Sequence, residues 1–66
     1  MSVAKVIEII AEGDSIEGAI ESGVREATQT VRNIRAVNVE NIKGLVEKGQ
    51  VVRYRVDLKL TFVVED

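Results

Sequence analysis

The alternation of apolar and polar residues in the last third of the chain constrains the fold most. From residue 52 to residue 64 every even position is apolar, and most odd positions are charged or carry a hydroxyl group. Successive side chains of a β-strand point to opposite faces of a sheet, so a period of two over thirteen positions predicts one long strand. A strand with one apolar face needs a core to face, and the rest of the chain must supply it.

Two further strands are predicted. A run rich in β-branched residues predicts a first strand over 3–10, which residues 11–13 are expected to break. Residues 36–46 predict a second strand, with Gly44 expected at a bulge or bend. Residues 47–50 form a turn into the last strand, over 51–64, and Gly49 can take the positive φ that such a turn needs.

A helix is predicted between the first two strands. Asp14 or Ser15 can cap its first turn, and Glu17 lies three residues after Asp14, the spacing of a capping box. The helix is expected to end at residues 32–35. Apolar residues recur at steps of three and four, as on the buried face of a helix, at Ile16, Ala19, Ile20, Val24, Ala27 and Val31.

Together these elements predict an α+β fold of β-α-β-β order, in which a three-stranded antiparallel sheet wraps one helix. The whole chain, 1–66, is expected to form a single domain. A sheet of three long strands leaves open edges and uncovered apolar surface, and both features favour assembly with other chains.

The length of the chain also predicts self-association. A domain of 66 residues has too small a core to be stable without further support, which usually comes from disulfides, a metal or oligomerisation. The chain has no Cys and no His, which excludes disulfides and an ordinary zinc site. Oligomerisation of identical chains is therefore the expected source of stability.

The same composition argues against several classes of function. Without His or Cys there is no His-based triad and no thiol nucleophile, so the protein is predicted not to be an enzyme. A net charge of -2 is not the strongly basic balance of a nucleic-acid-binding domain. No apolar run is long enough to span a membrane, and no signal peptide is recognisable, so a soluble cytoplasmic protein is expected.

In order along the chain, several segments resemble the dodecin family. Each segment alone is weakly specific, and their order, the chain length and the predicted β-α-β-β fold together make the match more specific. The matching segments are KVIEII at 5–10, GAIESGV at 18–24, ATQTVR at 27–32, VENIKG at 39–44 and YRVDLKLTF at 54–62.

The resemblance implies a hollow shell of twelve identical chains that stores small ligands, namely flavins (FMN or riboflavin) and, in some members, coenzyme A. Flavin-binding members stack the flavin ring on a Trp at a position that corresponds to Ala36, and they bond its edge through a Gln that corresponds to Arg55. Lys43 matches a basic position that contacts the ligand phosphate in some members. Ala36, Lys43 and Arg55 are therefore the candidate ligand-binding residues.

Three hypotheses follow. The first is a shell that binds a flavin or another small ligand weakly, without the usual Trp and Gln. The second is a shell like those of the Trp-less members, whose bound species is calcium or whose function is the shell itself, although the sequence assigns no residues to the metal. The third is a dimeric β-α-β-β interaction module, which the mass of the protein in solution would separate from the other two.

Overall fold

The computed structural model describes residues 3–64. Along the chain it contains strand β1 (Val3–Gly13), helix α1 (Ile16–Thr28), strand β2 (Ile34–Glu47) and strand β3 (Gln50–Val64). The three strands form one antiparallel sheet in the order β1-β3-β2. The predicted α+β fold with β-α-β-β order is thereby confirmed.

Strand β3 shows the clearest alternation because it is the central strand of the sheet. It has a hydrogen-bonded neighbour on each side, and one of its faces is covered by α1. Val56, Leu58 and Leu60 on that face are fully buried, and Ala19 of the helix is buried against them. We call the helix-covered side of the sheet the inner face and the opposite side the outer face.

Helix α1 begins at the second of the two predicted caps. Ser15 has extended backbone angles, and its Oγ accepts a hydrogen bond of 2.9 Å from the backbone N–H of Gly18. This bond satisfies one of the N–H groups left free at a helix start. The residue three positions after the actual cap is Gly18, so the predicted capping box with Glu17 does not form.

Strand β1 is longer than predicted, because residues 11–13 do not break it. Ala11, Glu12 and Gly13 continue the ladder opposite residues 56, 55 and 54 of β3. A Cβ atom at Gly13 would lie 2.7 Å from the backbone N of Ala19. Glycine is needed there because the end of the strand passes directly against the first turn of the helix.

The helix ends at Thr28, before the predicted limit. Residues 28, 30 and 31 are β-branched and form helices poorly, and only a single further turn is closed, by the bond from Val31 N to Ala27 O. Asn33 then adopts a left-handed φ of 63° and exchanges hydrogen bonds with Val63. These two hydrogen bonds fix the chain beside β3, and β2 begins at Ile34, two residues before the predicted start.

The predicted bulge at Gly44 is wrong, since Gly44 pairs in register with Tyr54. The register of β2 shifts instead between Ile34 and Ala36, between Val39 and Asn41, and between Leu45 and Val46. The predicted turn is confirmed: Lys48 and Gly49 both have positive φ, 52° and 76°. This is the pattern of the two-residue type I′ turns that favour a tight hairpin.

The fold is elongated. Its extents are 52 × 19 × 13 Å and its radius of gyration is 13.7 Å, whereas about 11 Å is usual for a compact chain of this length. Strand β1 ends opposite Tyr54, so the β2–β3 hairpin continues beyond it as a two-stranded ribbon. We call residues 43–55, which comprise this ribbon and the two rows of the sheet next to it, the arm.

Candidate functional site

The outer face of the sheet carries all three candidate ligand-binding residues. Ala36 lies directly opposite Thr61 on β3, and Lys43 lies directly opposite Arg55. Directly paired residues of antiparallel strands share a face. The alternation that buries Val56 on the inner face therefore places Arg55, and with it the other two residues, on the outer face.

The register brings two of these residues together and leaves the third apart. Lys43 and Arg55 are cross-strand neighbours. Thr61, the partner of Ala36, is six residues from Arg55 along β3, which at the rise of a strand is about 20 Å. A flavin-sized ligand held by Ala36 and Arg55 of the same chain would have to span that distance, so one chain alone does not form the predicted constellation.

A third side chain, which sequence reasoning missed, completes the row of Lys43 and Arg55. Glu12 lies opposite Arg55 on the other side of β3. Its Oε2 accepts hydrogen bonds from Nη2 and Nε of Arg55 at 2.7 and 3.0 Å, and its Oε1 lies 3.7 Å from Nε of Arg53. The signal in the sequence is that Glu12 lies four residues after Glu8. This even spacing places both side chains on the same face if β1 continues beyond its predicted end.

The environment of Glu12 favours its ionised form. The hydrogen bonds from Arg55 hold the pKa of the Glu12 carboxyl below its ordinary value. Partial burial opposes this shift, and the positive charges of Arg55 and Arg53 reinforce it. The carboxylate therefore orients the Arg55 side chain at neutral pH, and several guanidinium N–H donors remain for other partners.

The cross-strand row and Arg53 beside it carry an excess of positive charge. The single carboxylate of Glu12 contacts Arg53 and Arg55, and Lys43 adds a third positive charge on the far side of Arg55. At the position where the resemblance implies the neutral amide of a Gln, this chain has the Arg55 guanidinium, which is already hydrogen-bonded to Glu12. The arrangement suits a ligand with an anionic group better than the edge of a neutral ring.

A second charged group lies further along the outer face. Nζ of Lys59 is 3.7 Å from Oε1 of Glu40, and Glu8 is the cross-strand partner of Lys59. These residues and Asp57 border one shallow recess. Although acids outnumber bases there, no group of three or more acidic side chains in residues 3–64 is arranged to hold a metal ion.

The comparisons with known proteins agree with this architecture. A sequence model of the dodecin family matches residues 3–65. The chain belongs to the dodecin family. Strand order, helix placement and chain length are accordingly those of a dodecin. No functionally curated protein sequence shows significant similarity to the chain.

Solved dodecin structures are similar over nearly their whole length. A Streptomyces coelicolor dodecin is 32% identical with a TM-score of 0.91, and the match covers 98% of this chain and 94% of that one. An arginine-to-alanine variant of Thermus thermophilus dodecin is 27% identical with a TM-score of 0.92, covering 100% and 98%. A tryptophan-to-phenylalanine variant has the same identity and TM-score, and both chains are fully covered.

The helix of this family member is short and bears several charges. It has 13 residues, and no helix within residues 3–64 is long and apolar enough to cross a membrane.

Proposed function

We propose that the protein is a non-catalytic dodecin that assembles into a hollow shell of twelve identical chains and stores a small ligand. The observation that carries this proposal is the incomplete burial of the single chain. Only four apolar side chains of residues 3–64 are fully buried, while ten large apolar ones are exposed. A chain in this state gains stability by covering that surface with copies of itself.

The accessible surface of the chain is larger than that of a compact monomer of the same mass. The chain exposes 5023 Å², against about 4,200 Å² expected for a compact monomer of 7.3 kDa. The excess of about 800 Å² equals the share that one partner contributes to a standard protein–protein interface. The apolar surface lies on both faces of the sheet, so more than one kind of contact between chains is needed.

Ala36 argues against the usual tight flavin stack. It shares a row of the outer face with Thr61 and Val6, and none of the three offers an aromatic ring. Base or ring stacking on an aromatic side chain contributes about 0.5–1.5 kcal/mol beyond the buried area. A flavin bound here is therefore held weakly, and a preference for FMN over riboflavin requires the charged row of Lys43 and Arg55 to come from an adjoining copy.

Calcium is the second ligand that we propose to test. The acidic recess of Glu8, Glu40 and Asp57 is incomplete in one chain, and an adjoining copy could supply the remaining oxygen ligands that Ca²⁺ requires. The binding would then exist only in the assembled particle.

Light scattering coupled to size-exclusion chromatography tests the assembly. Twelve chains of 7.3 kDa give a particle of about 88 kDa, whereas a dimeric interaction module would give about 15 kDa. A dimer or monomer mass would reject the proposed shell.

Ligand binding is tested on the assembled particle. Titration of FMN and riboflavin against the protein, followed by quenching of flavin fluorescence, is expected to show weak binding with FMN preferred. Melting with calcium and after addition of a chelator tests the metal. If the fluorescence of neither flavin is quenched at high micromolar protein and Tm does not change with calcium, storage of these ligands is refuted and only the proposed shell remains.

A further inference from the structure

The arm has an apolar surface that its own chain does not cover. Val46, Val51 and Val52 near its tip are 63%, 53% and 41% exposed. They lie beyond the end of β1, where the sheet has narrowed to two strands. A two-stranded ribbon is only marginally stable in water without a surface to pack on.

Gly44 at the base of the arm supports the same conclusion. It lies within a strand, it forms no bulge, and its own chain leaves room for a methyl group, since a Cβ atom would meet only Val51, at 3.4 Å. Glycine weakens a strand interior and often marks a close approach by another backbone. Within residues 3–64 only Val51 lies within 4 Å of that position, which leaves space for an approach by another chain.

A groove elsewhere on the same fold is complementary to the arm. It runs between α1 and β1, along the unpaired edge of β1, and its floor includes Ile9, Ala11 and Gly23. The lining of the groove is acidic, since it carries Glu12 and Glu26 and no basic residue, whereas the arm carries four bases and one acid. We call this feature the α1–β1 groove.

We infer that the arm of one chain packs into the α1–β1 groove of the next copy, a head-to-tail contact within the proposed shell. This inference rests on the proposed assembly and adds which surfaces meet. The apolar tip covers the apolar floor, and the basic arm lies against the acidic lining. Such a contact joins two different surfaces, and it closes into a ring when the rotation between successive copies permits.

Disulfide trapping tests the contact directly. The chain has no cysteine, so every disulfide comes from engineered positions. A double variant, Val46→Cys with Ser22→Cys, places one thiol on the arm and one at the groove. Val46 pairs with Val51, about 17 Å along β3 from the row beside Gly23, so the two thiols of one chain cannot reach each other.

Oxidation of the double variant is expected to give covalent multimers on a non-reducing gel, which return to 7.3 kDa on reduction. Each single variant is expected to remain a monomer on the same gel. A dimer from Val46→Cys alone would mean that arms pair with each other, and a dimer from Ser22→Cys alone would mean that helices do. Either result overturns the inference.

Light scattering on the unmodified protein separates this inference from the proposed function. An assembled particle whose double variant does not crosslink refutes the arm-in-groove contact and leaves the shell intact. A monomeric parent refutes both.

Charge reversal gives an independent readout. Lys48→Glu and Glu26→Lys are each expected to raise the dissociation constant about twofold to fivefold per contact at low salt. The combined variant is expected to restore it, and circular dichroism verifies that each variant is folded. Failure of the combination to recover the parent affinity would contradict the pairing of arm and groove.

Discussion

Two glycines on the strands allow the packing of helix and sheet to be tested with one kind of substitution. Gly13→Ala adds a methyl group that would lie 2.7 and 2.9 Å from backbone atoms of Ala19, at the first turn of the helix. Backbone atoms cannot rotate away as a flexible side chain can. The helix must therefore shift away from the sheet.

The matched control is Gly44→Ala. Its methyl group would meet only side-chain atoms of Val51, the nearest at 3.4 Å, which is an ordinary contact distance. Replacing glycine by alanine in a strand interior stabilises it by about 0.5–1 kcal/mol when the space is free. From the contacts within one chain we therefore expect Gly44→Ala to be neutral or slightly stabilising. A loss of stability at this position would have to come from contacts between chains.

The expected magnitude for Gly13→Ala follows from these two terms. Overpacking costs about 1–3 kcal/mol, and contact with backbone places this site at the upper end. After the gain from losing glycine, the net loss is about 2 kcal/mol, which lowers Tm by about 8–16 °C for a domain of this length.

Thermal melts followed by circular dichroism at one protein concentration measure both variants, because assembly makes Tm depend on concentration. A Gly13→Ala variant that melts at or above the parent temperature would refute the claim that strand and helix backbones touch at this point.

Three further substitutions test the outer face and the turn. Glu12→Gln removes a carboxylate whose pKa is lowered in the folded state, and the stability that this carboxylate contributes is present above about pH 4.3 and is lost as pH falls through the lower folded pKa. The difference in Tm between parent and variant should therefore shrink in acid. A difference that stays constant with pH would show that the ion pair contributes nothing. Ala36→Trp should raise flavin affinity about twofold to twelvefold in a quenching titration by supplying an aromatic surface, whereas Ala36→Leu should not, and equal effects of the two would exclude stacking. Lys48→Gly should raise Tm, because a side chain at φ 52° is strained by about 1 kcal/mol, and an unchanged melt would show that the turn tolerates lysine without cost.

Local patterns were sufficient to predict the elements and their order. The alternation of β3 and the helical spacing of α1 report directly which side of each element is buried, and this information is contained in neighbouring residues. The absence of Cys and His likewise excludes disulfides, zinc sites and thiol or imidazole catalysis, because these chemistries need those side chains wherever they lie in the fold. Element ends were less predictable. In the sequence Gly13 indicates a break in the strand, whereas in the structure glycine is required there because the strand passes directly against the helix.

Only the tertiary structure decided which distant residues meet. Strand register depends on the hairpin turn, which the sequence predicts, and on three shifts along β2, which local composition does not encode. This register placed Glu12 against Arg55 and set Lys43 beside them, while it left Ala36 about 20 Å away along the sheet. The sequence alone could thus predict a small β-α-β-β fold with a core too small to be stable alone, because composition and periodicity are local properties. The arrangement of charges on its outer face required the packed sheet.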